Sequence, residues 1–230
     1  KDWDLIWKEQ IEKEISEITP ISDEKMGDLF KTFENIAKNS HSAKEWIAAE
    51  AEISKKTQPF ISKEERLAML KERYGSGQAR WNSKLRIVAT SIEDIERQVF
   101  DENSNVDILV ALQASGALQG VWPSVEINGK HFFDGGSFSM ENPDVFVDAD
   151  KMLVLSTGLP VDVPYKLEDL LAQLEKKGTE TSLVLPSEKT MNILKDFNYN
   201  MVEAKIRPFV AQAGREQGQA EAALIKERWL

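Results

Sequence analysis

Apolar residues over the first eighty positions recur three and four apart. Trp7, Ile11, Ile15 and Ile18 are spaced four, four and three, and after Pro20 the interval returns in Met26, Leu29, Phe30, Phe33 and Ile36. Each run predicts a helix with one apolar face. Ser42 with Glu45 and Ser62 with Glu65 repeat the Ser-x-x-Glu pattern, in which each side chain satisfies a backbone donor left free at a helix start. Gly75 falls where a left-handed C-terminal cap would end the fourth helix. A helical subregion is expected over residues 1–80.

From Lys84 the period changes to two. Leu85, Ile87 and Ala89 alternate with Arg86, Val88 and Thr90, and Val99-Phe100 can return as a partner strand after the polar turn Glu93 to Glu96. Asp107 to Leu118 is again apolar at helical spacing. Val125 to Ile127 and His131 to Phe133 then flank Asn128-Gly129, a strong hairpin-turn signal. Met152 to Ser156 and Ser182 to Leu185 have the length and composition of strands, with a helix between them over Leu167 to Lys177, stopped by Gly178. Alternating strands and helices over residues 84–186 predict an α/β core with a mostly parallel sheet. Residues 187–230 read as C-terminal helices, Pro208 breaking one and Gly214 and Gly218 weakening the next.

Composition narrows the classes of function. A chain of 230 residues, 41% hydrophobic and 30% charged, can bury a single core. Its net charge of −10 repels phosphate-rich surfaces at long range, which argues against nucleic acid as a partner. The absence of cysteine excludes disulfides and thiol nucleophiles, and with only His41 and His131 neither a metal site nor a cofactor is expected. No apolar run approaches the ~20 residues of a membrane helix, so no transmembrane segment is predicted. The start at Lys1 (KDWDLIWK) carries no apolar leader, and sequence is expected to precede it. Ordinary globular composition gives a cytoplasmic expectation.

The chemistry is concentrated between Val106 and Ser156. A helix rich in small residues ends in Ala117-Leu118-Gln119-Gly120; Trp122-Pro123 follows, and the hairpin then leads into Asp134-Gly135-Gly136. Asn142 lies eight residues beyond Asp134, before Asp148-Ala149-Asp150 and the apolar run Met152 to Ser156. A carboxylate at a strand end, followed by two residues without a Cβ, can sit on a sharp turn that backbone and substrate approach closely. Asp-Gly alone is a common turn former; its setting is what makes it informative.

In its order of blocks this stretch resembles the patatin-like phospholipase family, with Gln119 standing where proline is usual. The resemblance implies a patatin-like three-layer α/β fold whose first strands lie upstream of Lys1. It also implies acyl hydrolysis of lipid or phospholipid esters by a Ser-Asp dyad, with Asp134 as the catalytic aspartate and Gly135, Gly136, Asn142 and Trp122 as supporting residues. In such a dyad the aspartate takes the serine proton directly and no histidine is required.

The family's Gly-x-Ser-x-Gly elbow is absent. Gly75-Ser76-Gly77 follows a helix instead of a strand, and the run from Gly135 to Ser139 ends in Ser where Gly is needed. His131 and Asp134 should point to opposite faces of one strand, against a Ser-His-Asp triad. The N-terminal helices are expected to form a cover over a lipid site. Trp3 and Trp7 could there make a peripheral membrane contact, although the acidic face of Glu9, Glu12, Glu14 and Glu17 favours internal packing. Two other readings stay open: a non-catalytic patatin-fold protein that binds a lipid or protein partner, and an α/β small-molecule binding domain.

Overall fold

The computed structural model describes residues 3–12, 21–58, 61–74, 79–158 and 161–229. Its helices and strands run α1 (Trp3–Glu12), α2 (Asp23–Asn39), α3 (Ala43–Lys56), α4 (Lys63–Tyr74), β1 (Ile87–Ser91), β2 (Glu96–Phe100), α5 (Ile108–Ser115), β3 (Val125–Ile127), β4 (Lys130–Asp134), β5 (Lys151–Leu155), α6 (Leu167–Lys176), β6 (Glu180–Val184), α7 (Glu188–Asp196) and α8 (Arg207–Trp229). The chain is thus mixed α/β. It divides into two compact units, one drawn from Lys1–Lys31, Asp150–Pro160 and Glu180–Leu230, the other from Thr32–Ala149 and Val161–Thr179.

The second unit is built on a four-stranded sheet in the order β2-β1-β4-β3. Every neighbouring pair in it is antiparallel. This differs from the expectation of a mostly parallel sheet, and for β1–β2 and β3–β4 the cause is connection length. A parallel pair needs a crossover of a dozen residues or more, whereas a short turn returns the chain antiparallel. β1 reaches β2 through Ile92 to Ile95, and β3 reaches β4 through Asn128-Gly129 alone. Both turn residues there have positive φ, 53° and 79°, as a tight type I′ turn requires. Among the described residues, parallel pairing is confined to β5 and β6, which α6 joins in sequence.

One face of the antiparallel sheet is covered by α5. Ile87, Ala89, Phe100, Val125, Ile127 and Phe132 from the strands meet Ile108, Leu109, Ala111 and Ala114 from the helix. The alanines let helix and sheet approach closely, and Phe100 and Phe132 meet edge to face with centroids 5.4 Å apart. Asp107 starts α5 by accepting hydrogen bonds from the Leu109 and Val110 amides. The helical segment packs from outside, α4 against α5, with Trp46 and Ile47 of α3 buried. At the start of α4 the Ser62–Glu65 box closes in both directions, at 3.1 and 2.8 Å. At α3 the Ser42 hydroxyl accepts from the Glu45 amide, while the Glu45 carboxylate reaches the amide of His41, one residue earlier than the pattern implies.

In the first unit α1 packs along α8, where the Arg215 guanidinium lies 4.4 Å from the Trp7 ring centroid and binds Asp4 at 3.0 Å. Trp7 therefore has an internal partner; the Trp3 side chain, Ile15, Ile18 and Gly75 lie outside what is described. Pro208 is the second residue of α8, so it opens that helix and does not break one. Its missing N–H falls among donors that have no partner at a helix start anyway. No helix among the described residues is long and apolar enough to cross a membrane.

Candidate active site around Asp134

β4 ends at Asp134, and three backbone-level contacts fix that end. The Asp134 amide donates to the Ala117 carbonyl at 3.2 Å, its carbonyl accepts from the Thr90 hydroxyl at 2.9 Å, and its carboxylate accepts from the Gly136 amide at 2.8 Å. The last contact folds the side chain back over a single turn of 3-10 helix, Gly135–Ser137. The two glycines make this possible for different reasons. A Cβ on Gly135 would overlap the Val88 carbonyl, and one on Gly136 would lie 3.0 Å from the Asp134 carboxylate itself.

Asn142 holds the far end of the same loop. It sits in the left-handed region (φ 48°, ψ 47°), which asparagine tolerates better than most residues. Its side-chain amide donates to the carbonyls of Gly135 (3.0 Å) and Ser139, while its oxygen accepts from Arg97 at 3.2 Å. Arg97 in turn forms a two-pronged ion pair with Asp144 at 2.6 and 2.8 Å and lies against the Phe138 ring. Asn142 is thus a clamp on the backbone of the Asp134 turn.

Trp122 is brought in by the turn that follows α5. Its ring carries the Arg66 guanidinium 4.5 Å from the centroid, and Arg66 Nη2 donates to the Gly116 carbonyl at 2.5 Å. Gln119, the departure from proline, is 2% exposed and turned inward. Its amide nitrogen donates to the Ser137 hydroxyl at 3.1 Å and to Glu50 of α3. Glu50 is 3% exposed, and one of its oxygens has no hydrogen-bond partner. The Tyr165 hydroxyl closes the group by donating to the Gly136 carbonyl at 2.7 Å.

Burial dominates the electrostatics. It pushes the Asp134 carboxyl up to about 6, against the pull of the Gly136 N–H and the Arg66 charge. Glu50 is pushed up to about 8, mainly by burial and further by the Asp134 charge, with Ser137 and Gln119 opposing. The Tyr165 phenol also rises, by burial first and then by Glu50, Glu141 and Asp134. The Asp134 side chain is partly buried, not fully enclosed. Near neutral pH this pairs an ionised Asp134 with a protonated Glu50.

His131 is directed elsewhere: its Nδ1 lies 3.0 Å from the Glu93 carboxylate in the β1–β2 turn, and its amide binds the same side chain. No serine hydroxyl bonds to Asp134 among the described residues. Ser137 serves Gln119, and Ser139 accepts from the Asn142 amide at 3.2 Å; Ser76 lies outside the described residues. Nor does any group of three acidic or histidine side chains suited to a metal occur among them.

Sequence reasoning brought out Asp134, the glycines, Asn142 and Trp122, and missed Glu50, Arg66 and Tyr165. Glu50 carried a signal, since it interrupts the buried stripe Trp46, Ile47, Ala51 of α3. An acid on an apolar helix face calls for a partner. Arg66 carried none, because a basic residue in so polar a helix reads as solvated. No protein-family model matches the chain, and no curated protein is similar to it.

Proposed function

We propose that this chain supplies the general base of a Ser-Asp lipid acyl hydrolase of the kind it resembles, the patatin-like phospholipases. The supporting observation is the Asp134 turn: a carboxylate fixed by its own Gly-Gly backbone, whose burial pushes it up to about 6. Such a group is mostly ionised at neutral pH and still basic enough to accept a proton in a transition state. In this reading a serine from a segment preceding Lys1 attacks the ester carbonyl while Asp134 takes its proton. The alcohol departs with that proton, and water activated by Asp134 then releases the acid from the acyl-enzyme. The parallel strands of a three-layer domain would come from the same segment.

The deciding experiment joins the chain to its nucleophile-bearing segment and compares Asp134→Asn with His131→Gln. Asp134→Asn is expected to lower kcat/KM on a short-chain ester by at least ~100-fold with an unchanged thermal midpoint, because the amide keeps the Gly136 hydrogen bond and loses the base. His131→Gln should stay within a few-fold. Near-parental turnover in Asp134→Asn would overturn the proposal. The 230-residue chain alone should take up no serine-directed fluorophosphonate, since its described serines near Asp134 are held in structural bonds. Stoichiometric labelling of Ser137 or Ser139 would contradict that.

A further inference from the structure

Glu50 of α3 and Gln119 of the turn after α5 are buried against each other with their hydrogen bonds incomplete. The Gln119 amide nitrogen spends its hydrogens on Glu50 Oε1 and the Ser137 hydroxyl. Glu50 Oε2 and Gln119 Oε1 are then left without a protein partner, although both are sealed from solvent. The Ser54 hydroxyl, also buried one turn along α3, bonds to neither. With Glu50 ionised, both oxygens would be acceptors with no donor to serve them, which is costly in the interior. One proton on Glu50 Oε2 changes the balance, because it turns that oxygen into the donor that Gln119 Oε1 lacks. The two groups also match in shape: an amide carries its oxygen and one N–H along a single edge, and a carboxylic acid carries its hydroxyl and carbonyl oxygen along another.

We infer that Glu50 and Gln119 form a closed acid–amide pair that locks α3 to the Asp134 turn, and that loss of one proton to solvent opens the lock. The link to that turn is direct. Ser137, which accepts from Gln119, is the last residue of the 3-10 turn Gly135–Ser137 that Asp134 caps. Proline, which is usual at position 119 in the family this stretch resembles, has no amide side chain and could not form the pair. The charged and titratable groups around Glu50 favour the proton staying. Asp134 at the end of β4 acts on it with like charge, the Tyr165 phenol ahead of α6 is itself held neutral, and Arg66 of α4 acts on Asp134. Burial keeps the proton on up to about pH 8, so the lock is closed at neutral pH and opens in mildly alkaline solution. The lock involves one proton and three side chains, and it stands whether or not the acyl-hydrolase reading holds.

Infrared spectroscopy of the full 230-residue chain tests this without substrate. At neutral pH the chain is expected to show the carbonyl stretch of a protonated carboxylic acid, which Asp134→Asn keeps and Glu50→Gln removes. The band should fade as pH rises through about 8. In Gln119→Met, which takes away the acceptor, it should move to higher frequency. Amide hydrogen exchange reads the lock itself. Protection of residues 135–137, corrected for the intrinsic rate, should fall in the parental chain over the same alkaline range, by up to about tenfold per pH unit for one proton. It should stay level in Glu50→Gln, whose amide makes both bonds of the pair at any pH. Should Glu50→Gln lose its near-ultraviolet circular dichroism, the band shift in Gln119→Met carries the assignment. No acid band at neutral pH, a band that Asp134→Asn removes or that Gln119→Met leaves in place, or equal alkaline loss of protection in the parental chain and Glu50→Gln would each overturn the lock. The Asp134 assignment keeps its own test.

Discussion

Glu50 and Asp134 are both harder to ionise in the folded chain than in the unfolded one. Between the ordinary carboxylate range and their raised values the native state holds more protons than the unfolded state, so stability falls as pH rises. Asp134 acts up to about pH 6 and Glu50 up to about pH 8. From pH 6 to 8 the slope should therefore be Glu50's, at most about 1.4 kcal/mol per pH unit. Urea unfolding at pH 6, 7 and 8 should show this decline in the parental chain and a flat profile in Glu50→Gln, whose neutral amide still accepts from Gln119. A parental chain equally stable across that range would show that Glu50 is ionised or solvated. The two carboxyls also mark how far the site was legible. Asp134 announces itself because the two glycines that form its turn are its immediate neighbours in sequence. Glu50 and Arg66 reach the same place from helices 84 and 68 positions earlier, and only packing brings them there.

At the scale of elements, local signals were reliable where the chain closes on itself within a few residues. The Asn128-Gly129 hairpin, the Ser62 box and the helix after Asp107 all form as their sequences imply. Sheet direction was misread, because alternating helices and strands say nothing about which strands become neighbours; short returns set β1–β2 and β3–β4, while the β1–β4 pairing joins strands far apart in sequence. Glycine shows the same division between local and tertiary causes. Gly135 is required by Val88, 47 positions away, whereas Gly214 lies on the exposed side of α8 with nothing near the place a Cβ would take. Gly135→Ala should cost about 3 kcal/mol or more, since backbone would have to move. Gly214→Ala should gain about 0.5–1 kcal/mol from helix propensity. Urea midpoints of the two variants check both, and an unperturbed Gly135→Ala would mean that the Asp134 turn is looser than described.

Across the whole molecule, neither compact unit is a continuous stretch of chain. The unit that holds Asp134 takes α6 from beyond β5, and α6 packs on the 3-10 turn Pro143–Phe146 that follows Asn142. The other unit draws β5, β6, α7 and α8 from the C-terminal half and α1 from the beginning. This interleaving was not visible in the sequence, where residues 1–80, 84–186 and 187–230 differ in pattern without showing which parts associate. A chain ended at Ala149 keeps the whole antiparallel sheet and loses α6, so it should unfold at lower urea with a broadened transition. Its Asp134 loop should be cut by protease faster than in the full chain. A sharp transition at the parental midpoint would show that the sheet and α5 form a self-sufficient fold.

Two of the asparagines that turn the backbone to positive φ, Asn128 and Asn142, have opposite chemical futures. Spontaneous loss of an asparagine amide requires the next residue's backbone nitrogen to attack the side-chain carbonyl. Asn142 is followed by Pro143, which has no N–H to lose, and its amide is occupied by Gly135 and Ser139. Asn128 is exposed and followed by Gly129, whose nitrogen no side chain shields. On long storage, deamidation should therefore collect at the β3–β4 hairpin tip and spare the loop beside Asp134. Aged protein would then gain negative charge at Asn128 while the geometry of the candidate base persists.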